Sequence, residues 1–193
     1  MSEQVDVWAR GFADIAVLKP CCVLTVLRLG VHALWLDTDV VALANPFFEL
    51  LRGRPARDLW LQAGGAHALD LPEDDLDAWR SELCTGLYLA RATPAAAEVM
   101  RHAIHAMALR ADDLQFGDQS ATNLVLHEAR WRKGLGALSV GVLDPLAFPT
   151  GGLFFEARAP QARGISPILV HNNYLIGHAL KVARFKAHGL WFL

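Results

Sequence analysis

The sequence contains few cysteines, which limits the disulfides and sulfur-based metal sites that it could build. Its 193 residues include three, two of them adjacent at Cys21 and Cys22 and the third at Cys84. Structural zinc sites are built on spaced pairs of cysteine and histidine, so this arrangement does not suit a zinc framework. We therefore expect the thiols to be buried, as free cysteines usually are.

Charged residues and long apolar runs are also scarce. Charged residues make up 20% of the chain and the formal net charge is −2, which argues against the basic face that nucleic acid requires. The sequence has no N-glycosylation sequon, no signal-peptide pattern and no apolar segment long enough to cross a bilayer. Taken alone, the chain is expected to be soluble, with no nucleic acid among its partners and no membrane segment of its own.

Apolar residues, in contrast, are abundant. They make up 53% of the 193 residues, which is enough to fill one core and argues against a disordered chain. We find no repeat and no low-complexity tract. The expected organisation is one domain over residues 1–193.

One stretch of the chain combines a short apolar run with two carboxylates. Residues 31–36 predict a buried strand that ends in Asp37 and Asp39. Because side chains alternate along a strand, both carboxylates are expected on the same side at the end of a sheet. Two like charges this close are costly unless a cation lies between them, and Mg²⁺ or Mn²⁺ would complete its shell with water and substrate phosphates. The alternative is a solvated turn, because a two-residue pattern is common by chance.

Alternating helical and strand patterns predict an α/β fold. Helical spacing runs over residues 8–29, with Pro20 inside the pattern and Gly30 after it. A helix followed by a strand is the unit of an α/β sheet, and open sheets of this kind bind ligands at the carboxyl ends of their strands. The other predicted elements are strands at 59–63, 84–90, 137–142 and 168–170, a helix over 94–109 capped by Thr93, a helix from Asp118, and a solvated acidic loop at 70–77.

A second strand end carries a candidate metal ligand. The predicted strand at 168–170 runs directly into His171, whose imidazole binds metals. Gly177 permits close approach of the backbone to a ligand, and Lys181 on the following helical turn is a counter-charge for phosphate. A lone histidine after a strand is usually structural, but its occurrence in one chain with the acidic pair favours a ligand.

The helix that begins at Asp118 presents polar side chains at its N-terminus. Asp118 and Gln119 are expected to face a cleft there, where the helix dipole also favours negative ligand groups. Capping of the helix by Asp118 would explain that residue equally well.

Taken in order, these motifs resemble the nucleotide-diphospho-sugar transferase domain of glycosyltransferase family 77. That family includes plant and algal xylosyl-, arabinosyl- and galactosyltransferases of cell walls and glycoproteins. The resemblance covers nearly the whole chain, and the order of its separate motifs makes it more specific than any one of them. The motifs are Gly30, Trp35 to Val41, Asn45-Pro46, Thr85 to Tyr88, Asp118-Gln119 with Asn123, Phe148-Pro149 with Gly152, His171 to Tyr174 with Gly177 and Lys181, and Gly189 to Trp191.

The resemblance implies a fold, a reaction and a metal. The fold is a GT-A-like mixed sheet flanked by helices. The reaction is a retaining, metal-dependent transfer of a pentose or galactose from a UDP-sugar to a glycan or glycoprotein acceptor. The family's Asp-x-Asp pair holds Mn²⁺, or Mg²⁺, against the donor diphosphate. By this resemblance Asp39 is a direct metal ligand, Asp37 contacts the metal or the ribose, and His171 is a further ligand.

The resemblance also implies roles for the remaining candidates. Gly177 and Lys181 would receive the diphosphate, and Asp118 and Gln119 would line the sugar and acceptor side. Breaking the sugar–phosphate bond leaves negative charge on the diphosphate, which a fixed metal and Lys181 would stabilise where it develops. A retaining reaction leaves a role for a carboxylate or amide near the anomeric carbon, and Asp118 and Gln119 are the candidates. A covalent intermediate and front-face attack are both open.

The sequence departs from the family pattern in two places. Cys84 stands where related sequences carry Asn before the Thr-Gly pair, so a sugar or acceptor contact is expected to be missing. GT-A domains begin with elements that cradle the nucleotide base, whereas this chain opens shortly before its Asp-x-Asp pair, so we expect either an N-terminal truncation or reduced nucleotide binding. Golgi residence is implied by the resemblance alone.

Two alternatives are open at this point. The strand-terminal Asp37-Thr38-Asp39 also fits the pattern of haloacid dehalogenase-like phosphohydrolases, in which the first aspartate attacks phosphate and the second acts as acid and base. That class typically needs a later Gly-Asp pair followed by a second Asp four residues on. Here the residue four positions after Asp118 in Gly117-Asp118 is Thr122, and the His171 motif would have no explanation in that class. The other alternative is an inactive, shortened relative that binds a glycan or a partner transferase.

Overall fold

The computed structural model describes residues 10–51, 56–65, 68–70, 83–128 and 135–192. The helices are α1 (Arg10–Arg28), α2 (Pro46–Leu51), α3 (Pro94–Leu109), α4 (Asp118–His127), α5 (Ala159–Ala162) and α6 (His178–Ala187), with a π-helical turn at Gly152–Glu156. The strands are β1 (Ala33–Leu36), β2 (Val40–Ala42), β3 (Leu59–Ala63), β4 (Leu83–Ala90), β5 (Val140–Leu143) and β6 (Leu169–His171). Predicted strands and helices are thus found with their ends shifted by a few residues. Most of the predicted acidic loop, 71–77, lies outside the described residues.

Four of the strands form a mixed sheet in the order β1-β4-β3-β5. Strand β4 runs antiparallel to both β1 and β3, whereas β5 runs parallel to β3. Helices α1, α3 and α4 pack against one face of this sheet through a shared apolar cluster. The predicted class, a GT-A-like mixed sheet flanked by helices, is confirmed.

Helix α1 follows the predicted pattern and continues through Pro20. Val23 and Leu27, one helical turn apart, are buried against the sheet. Gly30 follows the helix with φ +76°, a left-handed conformation that glycine adopts without strain. No helix in the described part of the chain is long and apolar enough to cross a bilayer.

Strand β1 differs from its prediction. The apolar run at 31–36 predicts a buried strand, whereas β1 lies at the edge of the described sheet and is only half-buried. Ala33 and Trp35 pack on the side of the helices, and Leu34 packs on the opposite side. Because apolar side chains pack on both of its faces, β1 has the composition of a buried strand although it does not lie in the middle of the sheet.

The core lies on both faces of β3 and β4, which are buried along their whole length. Along β3, Leu61 packs with the helices, whereas Trp60 packs with Leu169 of β6 on the other face. Gln62 comes next in this strand, and its amide is also fully buried. A buried amide is costly unless it is hydrogen-bonded, so its partners are of interest.

Candidate active site

The turn between β1 and β2 brings the acidic pair to the end of β6. Strand β2 begins directly after Asp39 and pairs with β6 so that Val40 lies opposite His171. The backbone N–H of Asn172 donates to the carbonyl of Asp39 at 2.8 Å. One ligand atom from each of Asp37, Asp39 and His171 lies within 4.8 Å of the others. The three side chains predicted to bind a metal therefore meet at one point.

Asp39 lies between two cationic partners. His171 Nε2 is 3.3 Å from Asp39 Oδ1, and Lys181 Nζ is 2.6 Å from Asp39 Oδ2. Burial disfavours the charged carboxylate, but the hydrogen bonds and charges of these partners outweigh burial and hold the pKa of Asp39 well below its usual range. For His171, burial acts to lower the pKa, but the hydrogen bonds and charges of Asp39 and Cys84 outweigh it and raise the pKa to about 9. In the absence of a metal these contacts favour the protonated ring at neutral pH, and a bound cation would take the place of the proton on Nε2.

Asp37 has a different set of partners. Lys19 Nζ is 3.0 Å from Asp37 Oδ1, and the indole N–H of Trp35 donates to the same oxygen at 2.7 Å. Lys19 Nζ also lies 2.9 Å from Asp118 Oδ2. Burial acts to lower the pKa of Lys19, but the two carboxylates outweigh it and raise the pKa above its usual value. The sequence argument that a metal must offset the acidic pair is therefore incomplete, because each carboxylate already has an ammonium partner.

Gln62 and Gly86 fix the orientation of the His171 ring. The Gln62 amide N–H donates to the carbonyl of Phe148 at 3.0 Å, and Gln62 Oε1 lies 2.8 Å from His171 Nδ1. Since Oε1 can only accept, Nδ1 carries a proton and Nε2 faces the acidic pair. On the other side of the ring, a Cβ added to Gly86 would overlap Cε1 and lie 2.8 Å from Nε2. Only glycine leaves room for the ring at this position of β4.

The donor set fits a hard divalent cation. Two carboxylates and an imidazole whose Nε2 faces them provide oxygen and nitrogen ligands, which suit Mn²⁺ and, through the carboxylates, Mg²⁺. A histidine ligand also commonly donates its other ring N–H to a fixed acceptor, as His171 does to Gln62. Asp37, Asp39 and His171 are the described residues that would hold such an ion.

Asp118 and Gln119 lie at the N-terminus of α4 and face Thr85 of β4. The Thr85 hydroxyl donates to Asp118 Oδ2 at 2.6 Å, and the Thr85 backbone N–H donates to Gln119 Oε1 at 3.4 Å. The interpretation of Asp118 as the helix cap is wrong, because Gly117 occupies the cap position and the Asp118 carboxylate is bound by Thr85 instead. Strand β4 thus orients the first turn of α4.

A cleft of about 480 Å³ contains all the predicted site residues. The first turn of α4 contributes one part of its lining, and the segment 173–177 with Lys181 of α6 contributes another. Gly177 has φ +104°, a conformation that favours glycine, and it immediately precedes α6. The predicted residues that line the cleft are Asp37, Asp39, Asp118, Gln119, His171, Gly177 and Lys181.

Sequence reasoning missed three residues that shape this cleft. Lys19 lies on α1, where nothing in the local pattern separates it from an ordinary surface lysine. Gly86 did carry a signal, because a glycine inside a strand often marks a close approach of another group. Gln62 carried a weaker one, as the polar residue in the apolar strand 59–63.

The cysteines follow their prediction only in part. Cys84 is buried, but Cys21 is half-buried and Cys22 is exposed. The helix face of α1 that packs on the sheet contains Val23 and Leu27, which turns Cys22 toward solvent. Cys84 Sγ lies 3.8 Å from Nδ1 of His171, so the departure from the family pattern places a thiol beside the candidate metal ligand.

A mixed α/β sheet that gathers an acidic pair, an imidazole and a lysine into one cleft defines a GT-A-like domain of the kind that handles nucleotide-sugars. The chain belongs to the nucleotide-diphospho-sugar transferase family, whose profile matches residues 2–185. The resemblance drawn from the motifs is confirmed at this level. Membership in this family favours sugar transfer over the phosphohydrolase alternative.

Several relatives in this family have assigned activities. The chain is 31% identical over 194 residues to a UDP-D-xylose:L-fucose alpha-1,3-D-xylosyltransferase 1 of Arabidopsis thaliana, an alignment that covers 96% of this chain and 52% of that protein. It is 27% identical over 196 residues to a UDP-galactose:fucoside alpha-3-galactosyltransferase of Dictyostelium discoideum, covering 95% of this chain and 28% of that protein. The chain thus spans about half the length of the Arabidopsis relative and less of the other. No solved structure is significantly similar to the chain.

Proposed function

We propose that the chain carries the catalytic cleft of a glycosyltransferase that moves a pentose or galactose from a UDP-sugar to a glycan or glycoprotein acceptor bearing fucose. Family membership supports the nucleotide-sugar donor. The names of the relatives specify UDP-xylose or UDP-galactose as donor and fucose or a fucoside as acceptor. The Golgi lumen, which the family resemblance implies, is the compartment that we propose for this activity.

One observation carries the proposal: Asp37, Asp39, His171 and Lys181 share one cleft. Cleavage of the sugar–phosphate bond leaves negative charge on the diphosphate, and Mn²⁺ held by the two aspartates and the histidine would neutralise it as it develops. Lys181 is held at the edge of this cluster by Asp39, and its ammonium has two further protons to donate to phosphate oxygens.

The diphosphate side of the cleft also includes the start of α6. Gly177 lines the cleft and immediately precedes α6, and the positive end of a helix dipole favours an anion near it. Together with Lys181, the start of α6 provides positive potential on the side away from Asp118. We assign the diphosphate to this side.

We assign the transferred sugar to the opposite wall, at Asp118 and Gln119. Lys19 and Thr85 hold the Asp118 carboxylate in place, at 2.9 and 2.6 Å. A fixed carboxylate facing the anomeric carbon would stabilise the positive charge that develops on the sugar in a retaining transfer. Gln119 would hydrogen-bond sugar hydroxyls beside it.

Calorimetry with UDP tests the donor side of this proposal. We expect UDP to bind only with Mn²⁺, and Asp39→Ala or His171→Ala to abolish that binding. Asp112→Ala is the matched control, because it removes an exposed carboxylate outside the cleft and should leave binding unchanged. Manganese-independent binding, or binding that survives both site substitutions, would contradict the proposed metal site.

A transfer assay tests the reaction itself. UDP-xylose, UDP-galactose and UDP-arabinose are incubated with a methyl fucoside, and mass spectrometry detects the disaccharide. We expect one of the three donors to give product, and Asp118→Asn to lower the rate by at least 100-fold while UDP still binds. UDP binding without transfer from any donor would favour the non-catalytic alternative, a glycan- or partner-binding relative.

A further inference from the structure

Three consecutive residues with largely apolar side chains lie between the candidate metal histidine and the candidate phosphate lysine. They are Tyr174, Leu175 and Ile176, and all three line the cleft. Tyr174 is 59% exposed and Ile176 is 72% exposed, although both belong to the wall of a cleft whose other groups are mostly polar. None of the steps proposed for the donor uses these side chains.

Tyr174 is held in place at both its backbone and its hydroxyl. Its φ of +58° lies in the left-handed region, which is rare for an aromatic residue and persists only when the surroundings enforce it. The hydroxyl accepts a hydrogen bond from the backbone N–H of Gly65 at 2.8 Å. A Cβ added to Gly152 would lie 3.7 Å from Cδ2 of the ring, so the ring stands against the π-helical turn. The exposed part of the ring is thus a rigid apolar surface at the cleft.

Such a surface suits a sugar that has an apolar side. Aromatic rings and aliphatic side chains line most small-molecule sites, and a few polar groups set the orientation of the ligand. A 6-deoxyhexose carries a methyl group at C6 in place of a hydroxymethyl group, which gives it more apolar surface than other hexoses. Fucose, the acceptor sugar in the names of the relatives, is a 6-deoxyhexose.

From this geometry we infer that Tyr174 and Ile176 form an acceptor subsite, in which the tyrosine ring supports the pyranose and Ile176 contacts its C6 methyl group. The inference rests on the proposed function for the identity of the reaction. It assigns the acceptor to this loop rather than to Asp118 and Gln119, which keep the transferred sugar. The loop also joins the metal and diphosphate sides of the cleft.

Saturation-transfer NMR on the full chain, with Mn²⁺ and UDP present, tests this subsite without requiring turnover. The probes are methyl α-L-fucoside and methyl α-L-galactoside, which differ only by the hydroxyl on C6. We expect the fucoside to bind about tenfold more tightly and its C6 methyl protons to receive the strongest saturation. Ile176→Ala should weaken fucoside binding about tenfold, change galactoside binding less than twofold and leave the affinity for UDP unchanged.

Leu180→Ala is the matched control, because Leu180 is 57% exposed on α6 but does not line the cleft. It should change neither glycoside affinity. Absence of saturation at the C6 methyl group, or an Ile176→Ala variant that binds both glycosides as the wild type does, overturns the subsite. Fucoside binding through the methyl group in a chain that transfers no sugar would support the subsite and count against the proposed reaction instead.

Discussion

Replacing Gln62 by leucine tests whether one buried amide sets the geometry of the candidate metal site. Leucine is apolar and similar in size, and it removes both the acceptor at His171 Nδ1 and the donor at the Phe148 carbonyl. Each buried polar group left without a partner costs roughly 1–3 kcal/mol. We therefore expect the free energy of unfolding in urea to fall by about 1–3 kcal/mol for the lost partner of His171 Nδ1, with a further loss from the missing donor to the Phe148 carbonyl.

The larger consequence concerns metal binding. Without the Gln62 acceptor, the described residues leave at Nδ1 only the Cys84 thiol, a weak acceptor at 3.8 Å, so the His171 ring is held less firmly with Nε2 toward the acidic pair. Loss of such a partner typically costs 10–100-fold in metal affinity, and we expect the dissociation constant for Mn²⁺ to rise by about that factor. Calorimetric titration of Mn²⁺ in the presence of UDP measures it, at a urea-free condition where circular dichroism shows the variant to be folded.

Gln62→Glu is the matched control for this experiment. A carboxylate still accepts from His171 Nδ1 but no longer donates to the Phe148 carbonyl. We expect it to lose stability, as the leucine variant does, but to retain Mn²⁺ affinity within a fewfold. A folded leucine variant that binds Mn²⁺ as tightly as the wild type would refute the argument that Gln62 orients the ring.

Two further predictions concern the same histidine. Gly86→Ala places a methyl group against the His171 ring. We therefore expect the free energy of unfolding in urea to fall by about 1–3 kcal/mol, and the affinity for Mn²⁺ to fall with it. An unchanged affinity for Mn²⁺ would show that the ring does not need this space. Because the contacts with Asp39 and Cys84 raise the pKa of His171 from 6.5 to about 9, the folded chain keeps a proton that the unfolded chain has lost between these values. Without divalent ions, this contribution to stability should be fully present below pH 6.5 and lost as the pH rises through 9, and urea midpoints of wild type and His171→Asn measure it. If the urea midpoints of the wild type and of His171→Asn changed with pH in the same way, the raised pKa of His171 would be contradicted.

Many elements of the fold follow from local signals. The Thr93-Pro94 pair predicts the start of α3, and Thr93 Oγ1 indeed accepts from the backbone N–H of Ala96 at 3.2 Å. Gly30 predicts the end of α1, because few other residues adopt its left-handed backbone without strain. These signals are local because the hydrogen bonds that they satisfy join residues within one turn.

The place of a strand within the sheet has no such local signal. Residues 31–36 are as apolar as a central strand, yet β1 is an edge strand of the described sheet. A strand has the same apolar composition whether it lies between two other strands or lies at the edge of the sheet with apolar side chains packed on both of its faces. Similarly, Asp118 has the sequence signature of a cap, but its carboxylate is bound by a hydroxyl and an ammonium from other elements.

In the candidate site, too, some residues have local sequence signals and others do not. Asp37, Asp39, His171 and Lys181 could be proposed from sequence, because each follows a strand end or a glycine and their order matches a family. Their charge partners and the groups that orient them could not. Lys19 reaches Asp37 across 18 residues of the chain, and Gln62 reaches His171 across 109. Contacts between residues so far apart depend on how the sheet and helices pack, and no local pattern of residues encodes that packing.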